Sequence, residues 1–165
     1  MRKSLILNKV DNNTHFRYNY YMEIKVIGCS KARAGLIKAL ATFSAQALGI
    51  WNDSNIIKIY SIPKLKKTRK AYGLVARMTH SEIRVLLDSR LDPEALVTVI
   101  AHEFTHVKQV IRQELFAYFT LKGKQGWIWN GKINKAAYAN MPWEIEARNA
   151  EPYIANKLHR LIAKG

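Results

Sequence analysis

Cysteine is nearly absent from this sequence: Cys29 is the only one in 165 residues. That excludes an internal disulfide framework and a cysteine-rich zinc knuckle or ribbon. Any metal site must therefore draw on histidine and carboxylate ligands. Cys29 closes the apolar run from Ile24 and reads as a buried structural thiol. Long apolar stretches are missing too. None approaches the roughly 18 to 20 residues that a membrane span needs. The basic start at Arg2 and Lys3 leads only into Leu5, Ile6 and Leu7, too short for a signal-peptide core. The expectation is a cytoplasmic protein without a membrane partner. Acidic residues are scarce, with 12 Asp and Glu against 27 Lys and Arg, a formal charge of +15. Such an imbalance favours polyanionic partners, and nucleic acid is among the candidates. The densest basic cluster is Lys64, Lys66, Lys67, Arg69 and Lys70, after Pro63. No aromatic residues alternate with these cations, so the cluster by itself reads equally as a solvated loop.

What is present fits a single domain over residues 1–165, since 48% hydrophobic content is enough for a core. Residues 1–22 form a polar arm, with a turn at Asp11-Asn12-Asn13. Apolar residues then recur at Leu36, Ile37, Leu40, Phe43, Ala47 and Leu48. That spacing predicts an amphipathic helix from Lys31, capped by Ser30 and stopped at Gly49. Ile56 to Ile62, Tyr72 to Met78 and Ile83 to Leu87 are rich in strand formers, and their short links predict an antiparallel meander. Asp92-Pro93-Glu94 opens a second helix, with an N-cap, a first-turn proline and an acid at the positive end of the dipole. Its expected end is about Phe119. Pro142 starts a last helix towards Ala163, which Pro152 should kink or interrupt.

The second helix carries His102-Glu103-Phe104-Thr105-His106. Histidines at i and i+4 project from one side of a helix, one turn apart, and can reach one zinc ion. The intervening glutamate then sits where it can take a proton from a metal-activated water. At about 100° per residue, His102, His106, Gln109 and Gln113 fall in a stripe about 60° wide. Val97, Ile100, Phe104, Val107 and Ile111 occupy the opposite side. Five-residue matches of this kind also arise by chance, but this one lies inside a strong, capped helix.

A catalytic zinc needs a third protein ligand and an open position. The downstream acids are Glu114, Glu144, Glu146 and Glu151, and the other histidines are His15, His80 and His159. Glu144 stands out, in the first turn of the last helix, with the small Ala147 one turn on to allow close helix approach. Glu146 lies about 200° round that helix, so the two can hardly share an ion. Either acid could instead serve the helix dipole.

His102-Glu103-Phe104-Thr105-His106-Val107-Lys108-Gln109, followed by Glu144-Ile145-Glu146-Ala147, resembles the gluzincin class of metallopeptidases. It is similar to small bacterial and phage-type zincin-like domains. The resemblance rests on two short motifs within an arrangement covering about residues 35–155. It implies an α+β, zincin-like fold, with a small antiparallel sheet packed on the motif helix and a C-terminal glutamate-bearing helix. It implies Zn2+ held by His102, His106 and Glu144, and Glu103 as general base. It further implies an edge strand, Ile83 to Asp88, that holds an extended peptide. Arg148 departs from the acidic or amide residue common after the Glu-x-x-Ala unit, which leaves the orienting partner of a metal-bound histidine unassigned. Tyr138 and His159 are candidates by type for stabilising an oxyanion. Gln109 and the tryptophans Trp127, Trp129 and Trp143 could line a cleft, though large aromatics usually build cores.

The function expected is a zinc-dependent metallopeptidase acting on a protein or peptide. The alternative is an inactive zincin-like domain that binds nucleic acid through its basic surface. A SprT-like protease of DNA-associated proteins would use both features. Such domains carry a third histidine, however, and none lies between His106 and His159. The analogy concerns partners alone.

Overall fold

A computed structural model describes residues 21–119, 121, 125–135 and 140–162. Among these are four helices, a four-stranded mixed sheet and a separate three-stranded antiparallel sheet, an α+β architecture.

The apolar run after Met22 contributes β1 (Glu23–Ile27), which pairs in parallel with β2 (Ile56–Ile62). Between them runs α1 (Lys31–Ala47), whose first turn is closed by Ser30 accepting from the backbone N–H of Arg33 at 3.3 Å. Gly49 ends it with φ +70°, a left-handed conformation that glycine adopts without strain. Ile37, Leu40, Ala41, Ser44 and Ala45 form its buried face, while Leu36 turns outward. Cys29 is half-buried against the core rather than fully enclosed. The arm expected at residues 1–22 falls outside the described residues except for Tyr21 and Met22. These two are packed: Met22 is buried and donates to Trp51 O, and the Tyr21 ring stacks on Trp51.

The expected antiparallel meander is not what forms. The strand order is β1-β2-β4-β3, with β4 (Glu82–Asp88) parallel to β2 and only β3 (Gly73–Arg77) antiparallel, on the outside of β4. The cause is the segment 63–72. It is long enough to include a short helix, α2 (Leu65–Arg69), and carries the chain past the sheet before β3 begins. The tight turn 78–81 then returns β4 between β3 and β2. Ile83 to Asp88 is therefore interior, and the edge strand on its side of the sheet is β3.

One face of the mixed sheet presents Ile24, Ile57, Ile59, Ile83, Val85 and Leu87 to a core shared with α1 and the two later helices. The other carries the ion-paired Lys58, Glu82 and Arg84. Motif helix α3 (Pro93–Ile111) starts at Asp92, whose side chain accepts from Ala95 N at 2.8 Å. Val97, Ile100, Phe104 and Val107 face the core, on the side expected from the wheel.

This helix is shorter than expected. It stops at Ile111 because Gln113 turns left-handed (φ 59°), and the N–H groups of Gln113 and Glu114 close back on Val110 and Gln109. The aromatic-rich Leu115–Phe119 then forms β5, paired with β6 (Gln125–Trp129), and β6 pairs with β7 (Lys132–Asn134). Helix α4 (Pro142–Ile162) continues through Pro152 without a break. It packs along α3, with Ala147 fully buried between them. Among the described residues no helix is long and apolar enough to cross a membrane.

Candidate metal centre

Side chains from α3 and α4 converge on one point. His102 Nε2 lies 3.1 Å from His106 Nε2. The Glu144 carboxylate bridges the pair, Oε2 at 3.4 Å from His102 Nε2 and Oε1 at 3.3 Å from His106 Nε2. A tetrahedral ion with bonds of about 2.0–2.1 Å separates its ligand atoms by about 3.3–3.4 Å. The two nitrogens lie near that edge length apart and each lies near it from one of the two carboxylate oxygens, so the His-His-Glu group is close enough to hold one metal ion.

The outer ring nitrogens explain why the inner ones face each other. His102 Nδ1–H donates to Glu151 Oε1 at 2.5 Å, and His106 Nδ1–H donates to Gln109 Oε1 at 2.8 Å. The Gln109 amide has no choice of orientation, because its Nε2 donates to Trp143 O at 3.0 Å and Glu146 Oε2 at 2.9 Å. With both Nδ1 atoms engaged as donors, both Nε2 atoms are left to bind a cation. Four of the chain's 12 acids (Glu103, Glu144, Glu146 and Glu151) gather around this region of a strongly basic protein. The local field therefore favours a cation against the global charge.

The electrostatics agree. Burial opposes protonation of His102, but Glu144 and Glu151 outweigh it and push its pKa up to about 9. Metal entry must displace that proton. Glu103 is only 5% exposed, and burial is the main reason its carboxyl is pushed up to about 7, against the pull of His106 and His102. A carboxyl poised there can both accept and return a proton near neutrality. Glu146 is held below the usual carboxylate range by Lys108 and Gln109, which outweigh its partial burial. Its ion pair with Lys108 turns it away from the histidine pair.

A cavity of about 480 Å³ opens beside Glu103, His106 and Glu144. All of β3 forms one wall, with Leu115, Phe116 and Ala117 of β5 and the rings of Trp127 and Trp143 also lining it. Trp143 is buried, with Trp127 and Trp129 against it at ring separations of 5.9 and 6.0 Å; only the first of these two reaches the cavity. Asp88 N donates to Tyr72 O, so those two residues form a hydrogen-bonded pair of the antiparallel ladder. Alternation then turns the backbone groups of Gly73, Val75 and Arg77 away from β4, towards the open edge. Gly73 is required by space: a Cβ there would lie 2.3 Å from Glu103 Oε1 and 2.5 Å from Glu103 Cδ.

Of the residues singled out in the sequence, His102, His106, Glu144 and Glu103 come together. Gln109 is fully buried behind His106 rather than on the cleft surface, and Gln113 lies beyond the helix end, exposed. Tyr138 lies outside the described residues. His80 and His159 are exposed. Glu151 supplies the partner for His102 that Arg148 does not; Arg148 Nε donates instead to Glu144 O at 3.2 Å. The signal for Glu151 was its spacing of seven from Glu144, which brings both to one helix face. Comparison with models of protein families, with curated proteins and with solved structures finds no match to this chain.

Proposed function

We propose that the chain is a zinc-dependent metallopeptidase with a zincin-like arrangement, in which His102, His106 and Glu144 hold the ion and Glu103 carries the proton. The observation that carries this reading is the convergence of two Nε2 atoms and one carboxylate within 4.8 Å of one another, with each Nδ1 already engaged. Two imidazoles and a carboxylate are a donor set that suits zinc and leaves a coordination position open. When bound, zinc supplies Lewis acidity that polarises a carbonyl and lets a water lose its proton near neutral pH.

The chain's own residues account for the rest. Glu103, buried and raised to about 7, accepts a proton from the attacking water and returns it to the leaving amine. The outward backbone groups of Gly73, Val75 and Arg77 are suited to pair with an extended peptide as an added strand. Trp127, Trp143, Leu115 and Phe116 offer an apolar wall for its side chains and limit access of bulk water. A peptide bond, rather than a small ester, makes use of both the strand edge and the length of the cleft.

The test is metal analysis alongside peptide cleavage. Wild-type protein should carry about one zinc per chain, and His106→Ala should lose it. Glu103→Gln should keep the zinc while turnover falls by about 10²-fold or more. Zinc-free wild type, or Glu103→Gln protein cleaving at the wild-type rate, would overturn the reading.

A further inference from the structure

The basic cluster between β2 and β3 adjoins the Gly73 end of the cleft in the chain, one residue removed through Tyr72. Helix α2 is pinned from below by the buried side chain of Leu65 and by Asp88, whose Oδ2 accepts from Lys66 N at 2.8 Å. Lys64 and Lys70 bracket it in left-handed conformations, φ 59° and 60°, so the turn is held in a defined shape. Lys64, Lys66, Lys67, Arg69 and Lys70 are all exposed, and no acidic side chain occurs between Ile62 and Gly73. The one carboxylate beneath them, Asp88, is occupied by Arg90 and by backbone N–H groups.

This turn leads directly to the candidate catalytic group. The Lys66 ammonium sits 4.1 Å above the Tyr72 ring, Tyr72 is half-exposed, and its neighbour Gly73 lies against the Glu103 carboxyl. Along the cleft, Gly73 to Arg77 offers a strand edge, and beyond its Gly73 end the chain leads past Tyr72 to the exposed cations of α2.

The geometry points to a substrate that is a polypeptide with acidic residues on the C-terminal side of the cleaved bond. This rests on the peptidase reading and narrows it. A peptide pairing antiparallel with β3 runs from Arg77 towards Gly73 and meets Glu103 at the Gly73 end. The residues after the cleaved bond then leave the strand edge and cross Tyr72 onto α2. At about 3.3 Å per extended residue, carboxylates roughly two to four positions past the bond fall among Lys66, Lys67 and Arg69. A nucleic acid fits less well, because it cannot pair with the strand edge and because Lys66 covers one face of the exposed Tyr72 ring beside the cluster.

The experiment compares amidated, fluorescently labelled peptides of one core sequence. One carries Asp residues on the C-terminal side, one carries them on the N-terminal side, and one carries Gln in both places. Binding is read by anisotropy on the full-length Glu103→Gln chain, and kcat/KM on the wild type. The C-terminally acidic peptide should bind about tenfold more tightly than the neutral one at low salt, as two or three screened ion pairs allow. That advantage should shrink as salt rises. In the Lys66→Gln, Lys67→Gln, Arg69→Gln triple variant the ratio of acidic to neutral peptide should fall towards one. Equal binding of the three peptides, preference for the N-terminally acidic one, or a ratio unchanged in the triple variant would overturn the proposal. So would a single-stranded oligonucleotide binding more tightly than the acidic peptide and losing that affinity in the triple variant. Wild type without zinc or turnover is the separate signature of a failed peptidase reading, and the binding ratio still judges the acidic preference.

Discussion

Gly73 and Glu103 make the case at the scale of single residues. Glu103 is buried, and the space its carboxyl occupies exists only because position 73 has no side chain. In Gly73→Ala the added methyl would collide with three atoms of Glu103, so the carboxyl must shift while the histidines, which the methyl does not touch, keep their Nδ1 partners. A displacement of about 1 Å at a proton-transfer group costs roughly 10²-fold in rate. Gly73→Ala should therefore keep its zinc by metal analysis and lose about that factor in kcat; wild-type kcat in this variant would remove Glu103 as the proton carrier. Nothing in the sequence pointed to Gly73, because its role depends on β3 crossing the motif helix. The two histidines and Glu103 were legible because i, i+4 spacing on one helix is local information. Glu144 stood out among the downstream acids by its first-turn position and the small Ala147 one turn on, but its partnership with α3 depends on how two helices pack. Glu151 was readable in principle from its seven-residue spacing, but that face gains meaning only once Glu144 is known to point at the histidines.

Among elements, the helix starts were read well, while the end of α3 and the strand pairings were not. The caps Ser30 and Asp92 close α1 and α3 as their sequences imply, because a cap is satisfied within one turn. The order of the strands depends on where the segment 63–72 travels, and no periodicity encodes that path. Asp88 is the residue that secures it. Its carboxylate accepts from the Arg90 side chain, from Lys66 N and from Arg90 N, and these bonds hold its pKa well below the usual carboxylate range. A depressed folded pKa means stability that is present above the unfolded value of about 3.9 and lost as pH falls through the folded one. Asp88→Asn should therefore be about 2 kcal/mol less stable than wild type between pH 5 and 8. The gap should narrow steadily below pH 4. Urea denaturation at pH 3, 5 and 7 in the presence of a chelator reads this directly; a gap that is constant across that range would mean the carboxylate's charge is not what ties α2 to β4.

For the whole molecule, the candidate ligands divide between two helices: His102 and His106 on α3, Glu144 on α4. Their partners divide the same way, with Glu151 reaching from α4 to His102, and Gln109 from α3 to Trp143 and Glu146. A metal ion would therefore act as a cross-link between two helices that both pack into the principal core. Binding to the folded chain alone at 1,000 times Kd adds about 4 kcal/mol, which for a chain of this size raises Tm by roughly 8–16 °C. Thermal unfolding with excess zinc and with chelator should differ by about that amount in the wild type. The difference should persist in Glu103→Gln and vanish in His106→Ala. Identical melting of the wild type under both conditions would mean that the convergence of α3 and α4 is held by protons and hydrogen bonds alone, without a metal.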